Sequence, residues 1–184
     1  MNIMMSTKLT RKECLRILDQ YGTPDHVIAH CAAVARVAVA IGKKLKAKGH
    51  DLDLDLIEAA GLLHDIARTS SNHEKVGENH LRQLGLDRVA DIVAVHMHYP
   101  GFNPIGQINE TDLVCLGDRV CKEDQYVGVE ERMNYVLAKA NGNPHSTAII
   151  LQKKAELLEY CRRLEEHLGI PLDDLMKGGN DQSG

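Results

Sequence analysis

Apolar residues recur along this chain mostly three and four positions apart, the spacing of helices that bury one face. Thr10 followed by Glu13 forms a capping box, and Leu15 and Leu18 behind it predict a short first helix ending near Tyr21 and Gly22. Pro24 then suits a helix start. From there Val27, Cys31, Val34, Ala38, Ile41 and Leu45 trace one stripe that ends in a lysine-rich turn before Gly49, so the second helix is expected to be long and core-packed.

The run Asp51-Leu52-Asp53-Leu54-Asp55 alternates as a strand would. Three aspartates beside a long apolar helical run fit a loop and a helix N-terminus better, and the third helix is placed over 53–67. Further helices are predicted over 72–84, 87–98, 110–122, 129–140 and 144–168, with a short turn after Pro171. Pro, Gly and Asn gather between them. The segment from Tyr99 to Gly106 is the richest in breakers and follows two histidines, which predicts a loop at the rim of a site. The tail from Lys177 to Gly184 is expected to be disordered. No internal repeat or low-complexity block interrupts the pattern. The expectation is a single all-α domain over 1–176.

Composition narrows the class. A chain of 184 residues can bury a core without disulfides, and 43% hydrophobic with 26% charged residues is the balance of an ordinary globular protein. No continuous apolar run approaches the ~18 residues of a membrane span, and Met1 to Thr10 does not read as an export signal, so a cytoplasmic protein is expected. The five cysteines are odd in number and never form a Cys-x-x-Cys pair, which argues against a disulfide framework or a zinc ribbon. A net charge of -4 with interspersed signs, no Trp and one Phe disfavour a nucleic acid polymer as partner while leaving a nucleotide substrate open.

The chemistry lies in the histidines. Ten are present, and several interrupt apolar stretches: His30 after Val27-Ile-Ala, His64 and Asp65 inside Ala60-Gly-Leu-Leu-His-Asp-Ile, and His96 and His98 after Ile92-Val-Ala-Val. Desolvation penalises the carboxylate of such a His-Asp pair unless hydrogen bonds or a cation compensate. A divalent metal supplies that compensation. Imidazole and carboxylate ligands without thiolates suit Mn, Fe, Ni, Co, Zn or Mg and leave positions open for water and substrate.

The order of His30, then His64-Asp65, then Asp118 in Leu116-Gly-Asp-Arg-Val resembles the H…HD…D pattern of the HD superfamily of metal-dependent phosphohydrolases, over about 24–124. Within it the run His64-Asp65-Ile66-Ala67-Arg68 looks like the HDIG type and like small stand-alone bacterial HD proteins, with Ala67 and Arg68 in place of the usual Gly and Lys. The resemblance implies an all-α HD fold with a buried metal site. It implies His30, His64, Asp65 and Asp118 as ligands of one metal, with Asp65 able to bridge to a second. His73 and His96 fall where two-metal members carry extra histidines. Asp65, His64 and Arg68 are the candidate catalytic residues.

Around that set, Arg68, Arg119 and Lys122 are candidate phosphate contacts, since each is close in sequence to a candidate ligand. His26, one helical turn before His30, and His98 are further substrate-contact candidates; each also has a bland reading as a packed or rim residue. His98 is two residues from His96, about 200° round a helix, so both serve one metal only if the helix unwinds there. Tyr99 and Phe102 are the aromatics available to stack a base, against the simpler reading that they pack the loop. His50, His80, His145 and His167 show no partner pattern. The expected activity is hydrolysis of a phosphomonoester or phosphoanhydride, a nucleotide or small phosphorylated metabolite, with one or two divalent ions. A non-catalytic nucleotide-sensing module and a di-iron oxygenase are the competing readings. A homodimer through 145–168 is an open possibility.

Overall fold

The computed structural model describes residues 9–178 of the chain. Among them, α1 (Arg11–Tyr21) opens on the Thr10–Glu13 capping box, closed in both directions, and stops at Gly22, whose φ of 82° is the left-handed conformation that glycine adopts freely. The long helix α2 (Asp25–Ala47) follows Pro24. By length and composition α2 is apolar enough to cross a membrane, at a mean hydropathy of 1.4 over its most apolar window. Half of that window is buried within the protein, however, and α2 is the central helix.

Helix α3 (Leu54–Leu63), N-capped by the Asp53 carboxylate, and helix α6 (Glu110–Val120), with its Asn109–Asp112 capping box, both pack along α2. Helix α1 packs on α3. Helices α4 (His73–Gln83) and α5 (Asp87–Val95) pair with each other, as do α7 (Gly128–Lys139) and α8 (Pro144–Leu168), and α9 (Leu172–Gly178) returns to α2.

Two glycines set how closely the central helices approach. A Cβ on Gly61 of α3 would stand 2.7 Å from Ala35 Cα, and one on Gly117 of α6 would stand 3.0 Å from the Val34 carbonyl oxygen. Both contacts fall one turn beyond His30 on α2. Close packing there delivers His64, three residues after Gly61, and Asp118, next to Gly117, to the same end of the core as His30.

The structure corrects four boundaries. The third helix ends at Leu63, not at 67; the chain continues in tight turns closed by Ile66 N–H to Leu63 O, Arg68 N–H to Asp65 O and Ser70 N–H to Ala67 O. Helix α5 ends at Val95, and His96–His98 is a 3-10 turn instead of the last turn of an α-helix. Helix α6 ends at Val120, because β1 (Cys121–Lys122) and β2 (Gln125–Tyr126) form an antiparallel hairpin pairing Cys121 with Tyr126 and Lys122 with Gln125. Two-residue strands are too short to show a period-2 pattern, and the turn lacks the Asn-Gly or Asp-Gly signal of tight hairpins. Lys177 and Gly178, placed in a disordered tail from the sequence, belong to α9; the rest of that tail lies outside the described residues.

Candidate metal centre

Five segments contribute to one buried cluster: His30 from α2, His64 and Asp65 from the end of α3, His73 from the first turn of α4, His96 from the 3-10 turn, and Asp118 from α6. His30, His64 and Asp65 bring their donor atoms within 4.8 Å of one another, and so do Asp65, His73 and His96. Asp65 belongs to both groups. Its Oδ1 lies 3.2 Å from His73 Nε2 and 3.3 Å from His96 Nε2, while its Oδ2 lies 3.6 Å from His64 Nε2. Asp118 Oδ1 lies 3.0 Å from His30 Nε2 and 3.6 Å from His64 Nε2.

The main chain orients three of these rings. His30 Nδ1 donates to the Glu123 carbonyl at 2.8 Å, His64 Nδ1 to Gly61 at 2.8 Å and His96 Nδ1 to Val93 at 2.7 Å. A neutral imidazole has one N–H, and these bonds assign it to Nδ1, leaving the Nε2 lone pair turned into the cluster. There it meets carboxylate oxygens, acceptor against acceptor. Such an arrangement repels unless a cation lies between them, either a proton on the ring or a metal. His64 Nε2, His96 Nε2 and Asp65 Oδ1 are buried with no hydrogen-bond partner among the described residues. Orphaned acceptors of this kind are what a metal would satisfy, so the residues fit a divalent ion.

Without a metal, the charges respond as this crowding requires. Burial alone would raise the Asp118 carboxyl, but the His30 hydrogen bond and the His64 ring 3.6 Å away hold it well below the usual carboxylate range. Burial likewise opposes the charged form of Asp65, and the charge of His64 with the close approach of the His96 ring outweighs it. His64 is raised well above the ordinary histidine value: burial disfavours the charged ring, and Cys31, Asp65 and Asp118 together overcome it. His73 is lowered, chiefly by burial.

A cavity of about 460 Å³ opens onto the cluster. His30, Asp65, His96 and Asp118 line it together with the predicted contacts His26, Arg68, Arg119 and Lys122. Arg68 reaches back toward the cluster, with Nε 3.8 Å from Asp65 Oδ2 and Nη1 3.3 Å from His73 Nε2. His98 does not line the cavity. Although the helix unwinds at His96, the His98 side chain is 81% exposed and stands 3.7 Å from Glu74.

Tyr99 and Phe102 do not line it either. The Tyr99 hydroxyl donates to Asp112, and Phe102 stacks on Tyr160 of α8 at 4.6 Å. Asp112, fully buried, also accepts from the backbone and side chain of Asn103 and from the backbone of Asn109, which fastens the rim loop to α6. The two rings instead meet edge to face at 5.6 Å and together pack against the Arg119 guanidinium, 5.9 Å from the Tyr99 centroid and 5.3 Å from that of Phe102. The sequence reading did not assign Arg132, Tyr135 and Lys139 to the site, yet all three line the cavity. Their spacing of three and four puts them on one face of α7, a signal visible in the sequence but no different from that of any solvated helix face.

The HD domain family matches residues 27–123, more than half of the chain, and the chain belongs to that family. It is 43% identical over 88 residues to a tRNA (cytidine(56)-2'-O)-methyltransferase of Thermoplasma volcanium, a match covering 46% of this chain and 25% of that protein. An uncharacterized protein of Methanocaldococcus jannaschii is 37% identical over 73 residues, 38% of this chain and 43% of that one. A tRNA (cytidine(56)-2'-O)-methyltransferase of Picrophilus torridus is 26% identical over 182 residues, 90% of this chain and 49% of that protein. The chain thus spans half or less of the length of these curated relatives. They are archaeal, whereas the sequence pattern pointed to bacterial stand-alone proteins. No solved structure matches the chain.

Proposed function

From membership of the HD domain family, we infer that this protein is a metal-dependent phosphohydrolase acting on a phosphomonoester or phosphoanhydride, a nucleotide or small phosphorylated metabolite. The observation that carries the reading is the position of Asp65, whose two oxygens face His64 on one side and His73 and His96 on the other while Oδ1 has no hydrogen-bond partner among the described residues. His30, His64, Asp65 and Asp118 would hold one divalent ion, and Asp65, His73 and His96 a second. A divalent ion bound there supplies Lewis acidity toward a phosphoryl oxygen and lowers the pKa of water.

The protein's own groups carry the other tasks. Arg68, beside Asp65 at the metal end, is placed to neutralise charge developing on the phosphoryl group. Arg119, packed against the Tyr99–Phe102 ring pair, is oriented before substrate arrives, so little side-chain entropy is lost on binding. Asp65 is kept ionised, which suits it to a metal rather than to proton donation. His26 and Lys122 line the approach.

The names of two relatives favour a second reading, that this chain works alongside tRNA modification. Those names describe proteins at least about twice as long as the part matched. One experiment addresses both readings. Protein purified without chelator is assayed for bound metal and for phosphate release from nucleotides with Mn, Co, Ni, Mg and Fe, in the wild type and in Asp65→Ala, and in parallel for tRNA binding. Metal and metal-dependent release, both lost in Asp65→Ala, support the phosphohydrolase. A wild type inert with every metal that retains tRNA would favour the second reading.

A further inference from the structure

Beyond the metal cluster, the same cavity is lined by more positive charge than a single phosphate needs. Arg68, Arg119, Lys122, Arg132 and Lys139 all face it, and the acidic side chains among the lining residues are Asp65, Asp118 and Glu123. Asp65 and Asp118 are taken up by the histidine cluster. A phosphomonoester brings a charge of only about -1.5 to -2 near neutral pH.

Part of this surplus is concentrated around one ring. Tyr135 has Lys139 Nζ at 4.3 Å, Lys122 Nζ at 5.3 Å and Arg132 Cζ at 5.7 Å from its centroid. Three cations about a single phenol repel one another, and among the described residues only Lys122 of the three forms an ion pair, with Glu131 at a loose 3.4 Å. Arg132 Nε and Arg119 Nη1 are buried with no hydrogen-bond partner among the described residues. A buried guanidinium N–H without an acceptor is costly, and an anion entering the cavity would satisfy it. Hydrogen bonding to Lys139 holds the Tyr135 hydroxyl below its ordinary pKa, in keeping with a strongly positive setting.

We propose that Arg132, Tyr135 and Lys139 on α7, with Lys122 on β1, form a second anion subsite, so that the substrate carries two phosphates: one at the metal cluster and one held by α7. The proposal rests on the phosphohydrolase reading only for what happens to the first phosphate. The cavity of about 460 Å³ is within the roughly 300–1,000 Å³ of small-ligand sites, large enough for a nucleotide rather than for phosphate alone. Two phosphates in a chain and two at separate positions share this chemistry.

The test compares AMP, ADP and adenosine 3',5'-bisphosphate by calorimetric titration and by phosphate release, in the metal-loaded wild type and in an Arg132→Gln/Lys139→Gln double variant whose metal content and helicity match the wild type. Both bisphosphorylated ligands, or one of them, are expected to bind the wild type at least about tenfold more tightly than AMP, and the double variant to lose most of that ratio. Which of the two is preferred tells a chain from separated phosphates. Equal affinity of the wild type for all three, or a ratio unchanged in the double variant, would overturn the subsite. A wild-type preference that the double variant loses, with no phosphate released from any ligand under any metal, would sink the hydrolase reading and leave the subsite standing.

Discussion

His30 and Glu123, ninety-three residues apart, are joined by a 2.8 Å hydrogen bond from the His30 Nδ1 to the Glu123 carbonyl. Glu123 has a φ of 52°, a left-handed conformation unfavourable for a residue with a Cβ, at the turn of the β1–β2 hairpin. The turn thereby aims a main-chain acceptor at α2 and fixes which nitrogen of His30 faces Asp118. Glu123→Gly should relieve the strain and keep the bond. Glu123→Val should cost about 1–3 kcal/mol and weaken metal binding about tenfold by loosening the His30 ring. Thermal melts and metal titrations of the two variants separate these effects.

Asp65 belongs to both ligand groups whereas His30 and His96 each belong to one. Under the two-ion reading, His30→Ala and His96→Ala should each lower bound metal from about two ions to about one per chain, and Asp65→Ala should remove both. Metal analysis by plasma mass spectrometry gives the count directly.

The metal-free protein should have a stability optimum in mildly acidic solution. Asp65 and Asp118 have folded-state pKa values below their unfolded ones, so their contribution is present above about pH 4 and lost as pH falls. His64 has a raised folded-state value, so its contribution is complete below about pH 6.5 and lost as pH rises through that raised value. Chelated protein should therefore melt at a lower temperature at pH 9 than at pH 6. Metal-loaded protein should not show that decline, because the ion competes with the proton for His64 Nε2. A chelated protein equally stable at both values would count against the cluster geometry.

Gly61→Ala should destabilise the fold by about 1–3 kcal/mol, since the new methyl meets the Ala35 backbone at 2.7 Å. Urea unfolding measures this, and reduced metal affinity in the same variant would tie the α2–α3 approach to the position of His64.

The thiols of Cys14, Cys115, Cys121 and Cys161 are pushed up to about 12, chiefly by burial. In the native protein they should resist alkylation at pH 8, and all should react in urea, as followed by mass spectrometry.

Much was legible in the sequence alone because it is local. Capping boxes, Pro24, Gly22 and the three-and-four spacing of apolar residues act within a few residues of each helix, and they mark α1, α2 and α8 closely. The His64-Asp65 pair stands out for the same reason, as polar groups inside an apolar run. Tertiary structure decided the rest. The end of α3 at Leu63, the 3-10 turn at His96 and the hairpin after α6 carry no capping, Gly or Pro signal of their own in the sequence. The role of Asp65 between two histidine groups, the capture of Tyr99 and Phe102 by Asp112 and Tyr160, and the cations of α7 at the cavity depend on partners distant in the chain, such as His96 for Asp65 and Tyr160 for Phe102. Local free energies select helices; only packing at contact distance, as at Gly61 and Gly117, determines which of their side chains meet.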